Sequence, residues 1–128
     1  MARQIRILVI DDDADIRALL ENILGSAGYV VDLAADGKEG VKCFRQRQPD
    51  LVLTDLFMPN QEGLETIMQL HKDSPAVSIV AMSGKIAGKP LLPVAQKLGA
   101  VTFLEKPFTP DQLLSAVLKA LESRQVRD

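Results

Sequence analysis

The sequence has very few of the side chains that build disulfide-rich or zinc-binding proteins. Cys43 is the only cysteine and His71 the only histidine among 128 residues. A disulfide framework, a CxxC redox pair and a zinc site of nitrogen and sulfur ligands are therefore excluded. We expect Cys43 to be a buried or half-buried structural thiol and His71 to be a surface residue on a helix. This composition suits a protein of the reducing cytoplasm.

Long hydrophobic runs and an excess of charge of one sign are also missing. No apolar stretch approaches the roughly 20 residues of a membrane-spanning helix, and no basic start precedes an apolar segment as in a signal peptide. The net charge is only −2, which gives no overall field for attracting nucleic acid or an anionic membrane surface. We therefore expect a cytoplasmic protein that acts through a local site, with no direct nucleic-acid or membrane binding.

What is present is enough apolar sequence for one globular domain. The chain is 47% hydrophobic, and its length leaves no room for a second domain. We predict a single domain over residues 1–128, with its core between about residues 5 and 121. Residues 122–128 are polar and are expected to form a free tail or a truncated linker.

Short aliphatic runs alternate with segments of helical periodicity along the chain. The runs are typical of strands buried on both faces and cover residues 5–10, 29–34, 51–54, 77–82 and 101–105. Helices are predicted between Asp13 and Gly28, from Asp36 to Arg47, from Gly63 to Lys72, from Pro93 to Leu98 and from Thr109 to Arg124. This alternation predicts a doubly wound α/β fold whose parallel sheet is covered on both faces.

Several helix boundaries carry recognisable signals. Asp13 can cap the start of the first helix, and Gly28 can follow its end. Asp36 and Glu39 match the spacing of a capping box. The segment Thr109 to Gln112 combines a capping box with proline at the first helical position, which is a strong start signal for the last helix.

Proline and glycine interrupt the chain in two places. The Met58-Pro59 pair ends the third strand before the helix that follows it. Gly88, Pro90 and Pro93 break the segment between the fourth and fifth strands, so that only a short helix is expected there. The fourth helix is therefore predicted to be irregular.

Polar residues cluster where the predicted strands end. In open α/β sheets, ligands bind beyond the carboxyl ends of the strands, and that edge carries Asp11 and Asp12, Asp55, Ser83 and Lys106. Each residue alone could be a cap, a turn residue or a solvated amine. Together they bring three carboxylates near one another, and two such charges about 4 Å apart repel by roughly 4 kcal/mol at an effective dielectric near 20. A divalent cation and Lys106 would offset this repulsion.

The ligand chemistry favours magnesium and a phosphate. All candidate ligands are oxygen atoms, and magnesium typically binds one or two carboxylates together with phosphate oxygens. Asp55 is then suited to attack phosphorus, while Lys106 and the metal neutralise the phosphoryl oxygens and the Ser83 hydroxyl donates to another of them. The predicted product is an aspartyl phosphate on Asp55.

At these residues the sequence resembles the receiver domain of two-component response regulators. The matching motifs are ILVIDDD, LVLTDLFMP, VAMSG and FLEKPF, each at its expected strand end and in the expected order. The resemblance runs from about Ile5 to Leu121. Within this family, the chain is similar to the single-domain receivers of chemotaxis or sporulation relays. It implies a flavodoxin-like sheet of five strands in the order 2-1-3-4-5, with five helices.

The resemblance also implies roles for the residues around the metal. Asp12 would ligate magnesium, or manganese in its place, directly, whereas Asp11 would act largely through water. The backbone carbonyl of Phe57 would complete the protein ligands, together with Asp55. Lys106 would contact the phosphoryl group and precede a cis peptide bond.

A signalling switch and its partners follow from the same resemblance. Ser83 would follow the new phosphate and let Phe103 turn inward, which would switch a protein-binding face. The phosphoryl donor would be a histidine of a sensor kinase or of a phosphotransfer protein, and the downstream target is unidentified. The protein would not be an enzyme, apart from its own phosphotransfer and autodephosphorylation. It would be a monomer or a phosphorylation-dependent dimer. Phe57 and Lys85 occupy positions that tune dephosphorylation in relatives.

Two other functions remain open at this point. Asp11 and Asp13 form a DxD after a hydrophobic strand, as in haloacid-dehalogenase-like phosphatases, although Ala14 and Asp15 do not continue that motif. That hypothesis also leaves Asp55 without a role. The third hypothesis is a receiver-shaped binding module that does not turn over phosphate. The presence of the full set of site residues argues against it.

Overall fold

A computed structural model describes residues 4–56, 62–84 and 92–127 of the chain. The strands are β1 Arg6–Ile10, β2 Val30–Ala34, β3 Leu51–Asp55, β4 Ser78–Gly84 and β5 Thr102–Lys106. The helices are α1 Ala14–Ser26, α2 Gly37–Arg47, α3 Glu62–Asp73, α4 Leu92–Leu98 and α5 Pro110–Arg127. None of the helices in the described ranges combines the length and apolarity needed to cross a membrane.

The five strands form one parallel sheet in the order β2-β1-β3-β4-β5. The central pairing aligns Ile10 of β1 with Thr54 of β3, and Asp55 of β3 with Met82 of β4. The predicted doubly wound fold and its strand order are confirmed. The carboxyl ends of β1 and β3 are thus neighbours, which places the residues that follow β1 beside the last residue of β3.

Helices cover the sheet on both faces, and the strands alternate between two cores. Ile7 and Val9 of β1 pack in one cluster with residues of α1 and α5, while Leu8 and Ile10 pack in the other with residues of α2, α3 and α4. All four side chains are fully buried. The continuous aliphatic runs in the sequence therefore have a simple cause, since both faces of each central strand are buried.

The predicted helix starts are confirmed with one difference in detail. The Asp13 side chain accepts hydrogen bonds from the backbone N–H groups of Asp15 and Ile16. At α5, the Thr109 hydroxyl and the Gln112 side chain accept reciprocally from each other's backbone N–H at 3.1 and 2.8 Å. The capping box predicted at the start of α2 has only one of its two reciprocal hydrogen bonds. The Asp36 carboxylate accepts from Glu39 N–H, but the Glu39 carboxylate accepts from Ala35 rather than from Asp36.

Some predicted boundaries shift when the sheet is assembled. Strand β4 continues to Gly84, so Ser83 lies inside the strand rather than after it, and β5 ends on Lys106 itself. Helix α5 runs to Arg127 and includes most of the segment that we expected to be a tail. The predicted interruptions at Met58-Pro59, Gly88 and Pro90 lie outside the described residues.

His71 is packed more closely than a surface residue. It is half-buried near the end of α3, and its ring faces Gly99, where a Cβ atom would lie 2.7 Å from the ring carbon Cγ. Gly99 also has a φ of +134°, so glycine is required there for both space and backbone conformation. The expectation for His71 is therefore wrong in burial. Cys43 is half-buried as predicted, and burial, followed by the charge of Asp32, raises the pKa of its thiol.

Candidate functional site

Three carboxylates meet at the carboxyl ends of β1 and β3. Each of Asp11, Asp12 and Asp55 offers one carboxylate oxygen, and these oxygens all lie within 4.8 Å of one another. Asp11 is fully buried and Asp55 is only 6% exposed, whereas Asp12 is exposed. The topology has brought together residues that are separated by more than 40 positions in the sequence, as the strand-end argument predicted.

Lys106 supplies a positive charge to this acidic cluster. Its Nζ atom lies 2.9 Å from Asp11 Oδ2 and 3.1 Å from Asp55 Oδ2. Burial acts to lower the pKa of Lys106, but the hydrogen bond to Asp11 and the charge of Asp55 outweigh burial and raise it above its ordinary value. The Lys106 amine is therefore protonated at neutral pH. It supplies one positive charge to a cluster of three carboxyl groups.

The buried carboxylate of Asp11 is held from two sides. Its Oδ1 atom accepts a hydrogen bond from the Asp13 backbone N–H at 2.9 Å, and its Oδ2 atom accepts the bond from Lys106. The Asp11 backbone is held too, because its N–H donates to the Ala34 carbonyl and its own carbonyl accepts from Arg17 Nη1 at 2.7 Å. These bonds hold both the carboxylate and the backbone of Asp11 in a fixed orientation.

The cluster has the chemistry of a site for a hard cation. Its three candidate ligands are carboxylate oxygens, with no nitrogen or sulfur among them, which favours magnesium over zinc. Lys106 bonds to the two buried members of the cluster, Asp11 and Asp55, whereas the third member, Asp12, is exposed to solvent. The acidic cluster could therefore bind a metal ion, and Asp11, Asp12 and Asp55 are the residues that would hold it.

Comparison with known proteins decides the family. The family model described as "Response regulator receiver domain" matches residues 7–118, which include every strand of the sheet in whole or in part. The chain belongs to this receiver-domain family. It is thus a signalling domain of two-component systems, as its strand-end motifs predicted.

Individual relatives agree with this assignment. The chain is 34% identical over 115 residues to the protein "Chemotaxis protein CheY" of Thermotoga maritima, covering 89% of this chain and 95% of that protein. A CheY-like receiver domain protein of Methanospirillum hungatei has a solved structure with a TM-score of 0.91 and 28% identity, covering 98% of this chain and 100% of that one. Both are similar to this receiver domain over nearly their whole length.

Other relatives are much longer than this chain. The "Probable transcriptional regulator ycf27" of Guillardia theta is 35% identical over 118 residues, which cover 91% of this chain but 45% of that protein. The receiver domain described here thus spans about half the length of some curated relatives that it matches.

The structure describes some of the remaining predicted site residues and not others. Ser83 lies in β4 with 1% of its surface exposed, next to Met82, the register partner of Asp55. Phe103 on β5 is half-buried and packs against the core cluster on the α2, α3 and α4 side of the sheet. The peptide bond between Lys106 and Pro107 is cis, as the resemblance implied. Phe57 and Lys85 lie outside the described residues, and the proposed roles of all these residues stay predictions.

Two residues beside the site carry no signal that singles them out in the sequence. Arg17 is one of several charged residues of an amphipathic helix, yet its guanidinium contacts the Asp11 carbonyl. Gly63 lies in the first turn of α3, where a Cβ atom would collide with the Asp55 carbonyl oxygen and lie 2.7 Å from the Leu56 carbonyl oxygen.

Gly63→Ala is expected to destabilise the protein by displacing the main chain at the end of β3. The added methyl group meets main-chain atoms of Asp55 and Leu56, which cannot rotate away as a side chain could, so we expect a loss of about 1–3 kcal/mol in the free energy of unfolding. The matched control is Gly25→Ala in α1, where nothing lies within 4 Å of the new Cβ. That variant should gain about 0.4–1 kcal/mol. Urea unfolding of both variants checks this, and equal effects would contradict the close approach.

Proposed function

We propose that this receiver domain accepts a phosphoryl group on Asp55 from a phosphorylated histidine of a sensor kinase or phosphotransfer protein, in a magnesium-dependent reaction. One observation carries the proposal. Asp55 is a carboxylate at a strand end, close to the oxygens of Asp11 and Asp12 and bonded to the ammonium of Lys106. A nucleophile flanked by anionic metal ligands and by one fixed cation suits transfer of an anionic group.

The transfer is a substitution at phosphorus. An Asp55 carboxylate oxygen attacks the phosphorus atom, and a new O–P bond forms as the P–N bond to the donor imidazole breaks. The electron pair of the broken bond stays on the imidazole nitrogen, which then takes a proton from solvent. Lys106 holds the Asp55 carboxylate in place before attack, because its Nζ atom lies 3.1 Å from Oδ2.

The acidic residues then have separate tasks. Magnesium, or manganese in its place, would supply positive charge to the phosphoryl oxygens. Asp12 and Asp55 are proposed as direct ligands with the Phe57 carbonyl, and the buried Asp11 is proposed to act through water and through Lys106. Two bonds already made by the Asp11 carboxylate support this indirect role.

Phosphorylation is proposed to switch a protein-binding face. Ser83 would donate its hydroxyl to the phosphoryl group, and Phe103 would move further inward from its half-buried position on β5. The output partner is a protein of unidentified type, and the switched domain would act as a monomer or as a phosphorylation-dependent dimer. The chemistry of the domain would be limited to its own phosphorylation and dephosphorylation.

The contacts of Asp11 and Asp13 disfavour the phosphatase alternative. That reaction needs Asp11 as a nucleophile, but Asp11 is fully buried and both of its carboxylate oxygens accept hydrogen bonds. It also needs Asp13 as an acid, but Asp13 Oδ1 accepts from the N–H groups of Asp15 and Ile16 at the start of α1. A side chain in this capping role points to the helix rather than to a substrate.

A titration followed by amide NMR tests the proposed function. Magnesium should shift the resonances of Asp11, Asp12 and Asp55 in a saturable manner, and the phosphoryl mimic beryllofluoride should produce a further change that requires magnesium. Asp12→Asn should weaken magnesium binding, since it removes one exposed anionic ligand. If neither magnesium nor beryllofluoride perturbs the wild-type spectrum, the proposed function is wrong.

A further inference from the structure

Arg17 is a second cationic side chain, besides Lys106, that bonds to a residue of the acidic cluster. It lies on the first turns of α1, and its Nη1 atom donates to the backbone carbonyl of Asp11 at 2.7 Å. The backbone N–H of Arg17 also donates to the Asp13 carbonyl. One residue thus contacts the connection between β1 and α1 on both sides of Asp12.

These contacts hold the backbone around Asp12 without touching its side chain. The Asp11 carbonyl belongs to the peptide unit that joins Asp11 to Asp12, and that unit is held by Arg17. The next peptide unit joins Asp12 to Asp13, and its N–H donates to Asp11 Oδ1 at 2.9 Å. Each peptide unit that flanks Asp12 therefore has one hydrogen bond that resists its rotation.

We propose that Arg17 is a positioning residue for the metal site, and that it acts by fixing the direction in which Asp12 presents its carboxylate. This proposal rests on the proposed function, because it assigns Asp12 to a divalent cation. Asp12 is the exposed member of the cluster, whereas Asp11 and Asp55 are buried in the sheet edge. Because the Asp12 side chain is exposed, we infer that the direction of its carboxylate is set mainly by the backbone that carries it.

The sign of the effect separates positioning from simple electrostatics. Arg17 is positively charged, so a purely Coulombic role near three carboxylates would make magnesium bind more tightly when the charge is removed. A positioning role predicts the opposite, because a misdirected Asp12 loses part of its bond to the cation. Magnesium has strict geometric demands on its oxygen ligands, so the positioning effect should prevail.

Magnesium affinity in three variants tests the proposal. Arg17→Met keeps the apolar stem but removes the donors, and it should weaken magnesium binding about tenfold, equivalent to about 1.4 kcal/mol. Arg17→Lys retains a donor and should recover part of the affinity. The matched control is Arg45→Met, which removes the same charge from an exposed pair with Asp73 between α2 and α3, and it should change the affinity by less than twofold. Binding is measured by isothermal titration calorimetry on variants whose cooperative thermal unfolding shows that they are folded.

The possible results distinguish this proposal from the proposed function. Wild-type binding, weaker binding by Arg17→Met and unchanged binding by Arg45→Met would support the positioning role. Equal or tighter binding by Arg17→Met than by wild type would overturn that role alone. Absence of magnesium binding by the wild-type protein would overturn the proposed function, and the role of Arg17 with it.

Discussion

The Asp55→Asn variant is expected to incorporate no phosphoryl group from a histidine-phosphorylated donor. The amide oxygen is a poor nucleophile, and removal of a covalent nucleophile lowers enzymatic rates by up to about 10⁶-fold, so we expect labelling to fall by more than about 10³-fold. The change is nearly isosteric and keeps an oxygen atom near Lys106, whose Nζ atom lies 3.1 Å from Asp55 Oδ2 in the wild type. Intact-protein mass spectrometry after incubation with the donor measures the effect.

Asp11→Asn is the matched control for this experiment. It removes a negative charge from the same cluster, but under the receiver mechanism it leaves the acceptor intact. We expect slower labelling that still maps to Asp55, because the bond between Asp11 and Lys106 is weakened. Loss of all labelling in Asp11→Asn together with full labelling in Asp55→Asn would favour the phosphatase alternative instead.

The Lys106→Ala variant is expected to lose both stability and switching. Removing Lys106 leaves the fully buried Asp11 and the nearly buried Asp55 without their shared cation. Loss of one partner of a buried ion pair costs about 3–5 kcal/mol. We expect the lower end of this range without magnesium, because 23% of the Lys106 side chain is exposed. Urea unfolding with and without magnesium measures it, and magnesium should restore more stability to the variant than to the wild type.

The switching defect of Lys106→Ala needs a separate measurement. Without the ammonium, the phosphoryl oxygens are held less firmly, so beryllofluoride should shift the amide resonance of Phe103 less than in the wild type. Lys119→Ala on α5 is the matched control for the stability measurement. Lys119 is exposed, so its loss should change the free energy of unfolding by less than about 0.5 kcal/mol. A wild-type shift at Phe103 in Lys106→Ala would contradict the role of Lys106 in the switch.

The fold could be predicted from local patterns because the buried strands leave a plain signal. Leu51 and Leu53 pack in one core cluster and Val52 in the other, so the whole run must be apolar. Caps at Asp13 and Thr109 act within a few residues of their own positions, which makes them readable from spacing. The length of α5 was missed because its last turns, up to Arg127, are polar, and a polar helix end has the same composition as a tail.

The acidic cluster and Lys106 could be predicted because topology alone brings strand ends together. The contact of Lys106 Nζ with both Asp11 and Asp55 follows from the sheet order and from the length of the lysine side chain. Arg17 and Gly63 could not be predicted in this way. Their importance depends on which backbone atoms they approach, namely the carbonyls of Asp11 and Asp55, and a side-chain pattern contains no such information.

Mapping of the labelled site tests most directly whether Asp55 is the phosphoacceptor of this receiver domain. The wild-type protein would be incubated with a histidine-phosphorylated donor domain, with and without magnesium, and the labelled residue identified by borohydride reduction and peptide mass spectrometry. We predict one phosphoryl group per chain, on Asp55 and only in the presence of magnesium. Labelling of another residue, or no labelling from any histidine-phosphorylated donor, would contradict this role of Asp55.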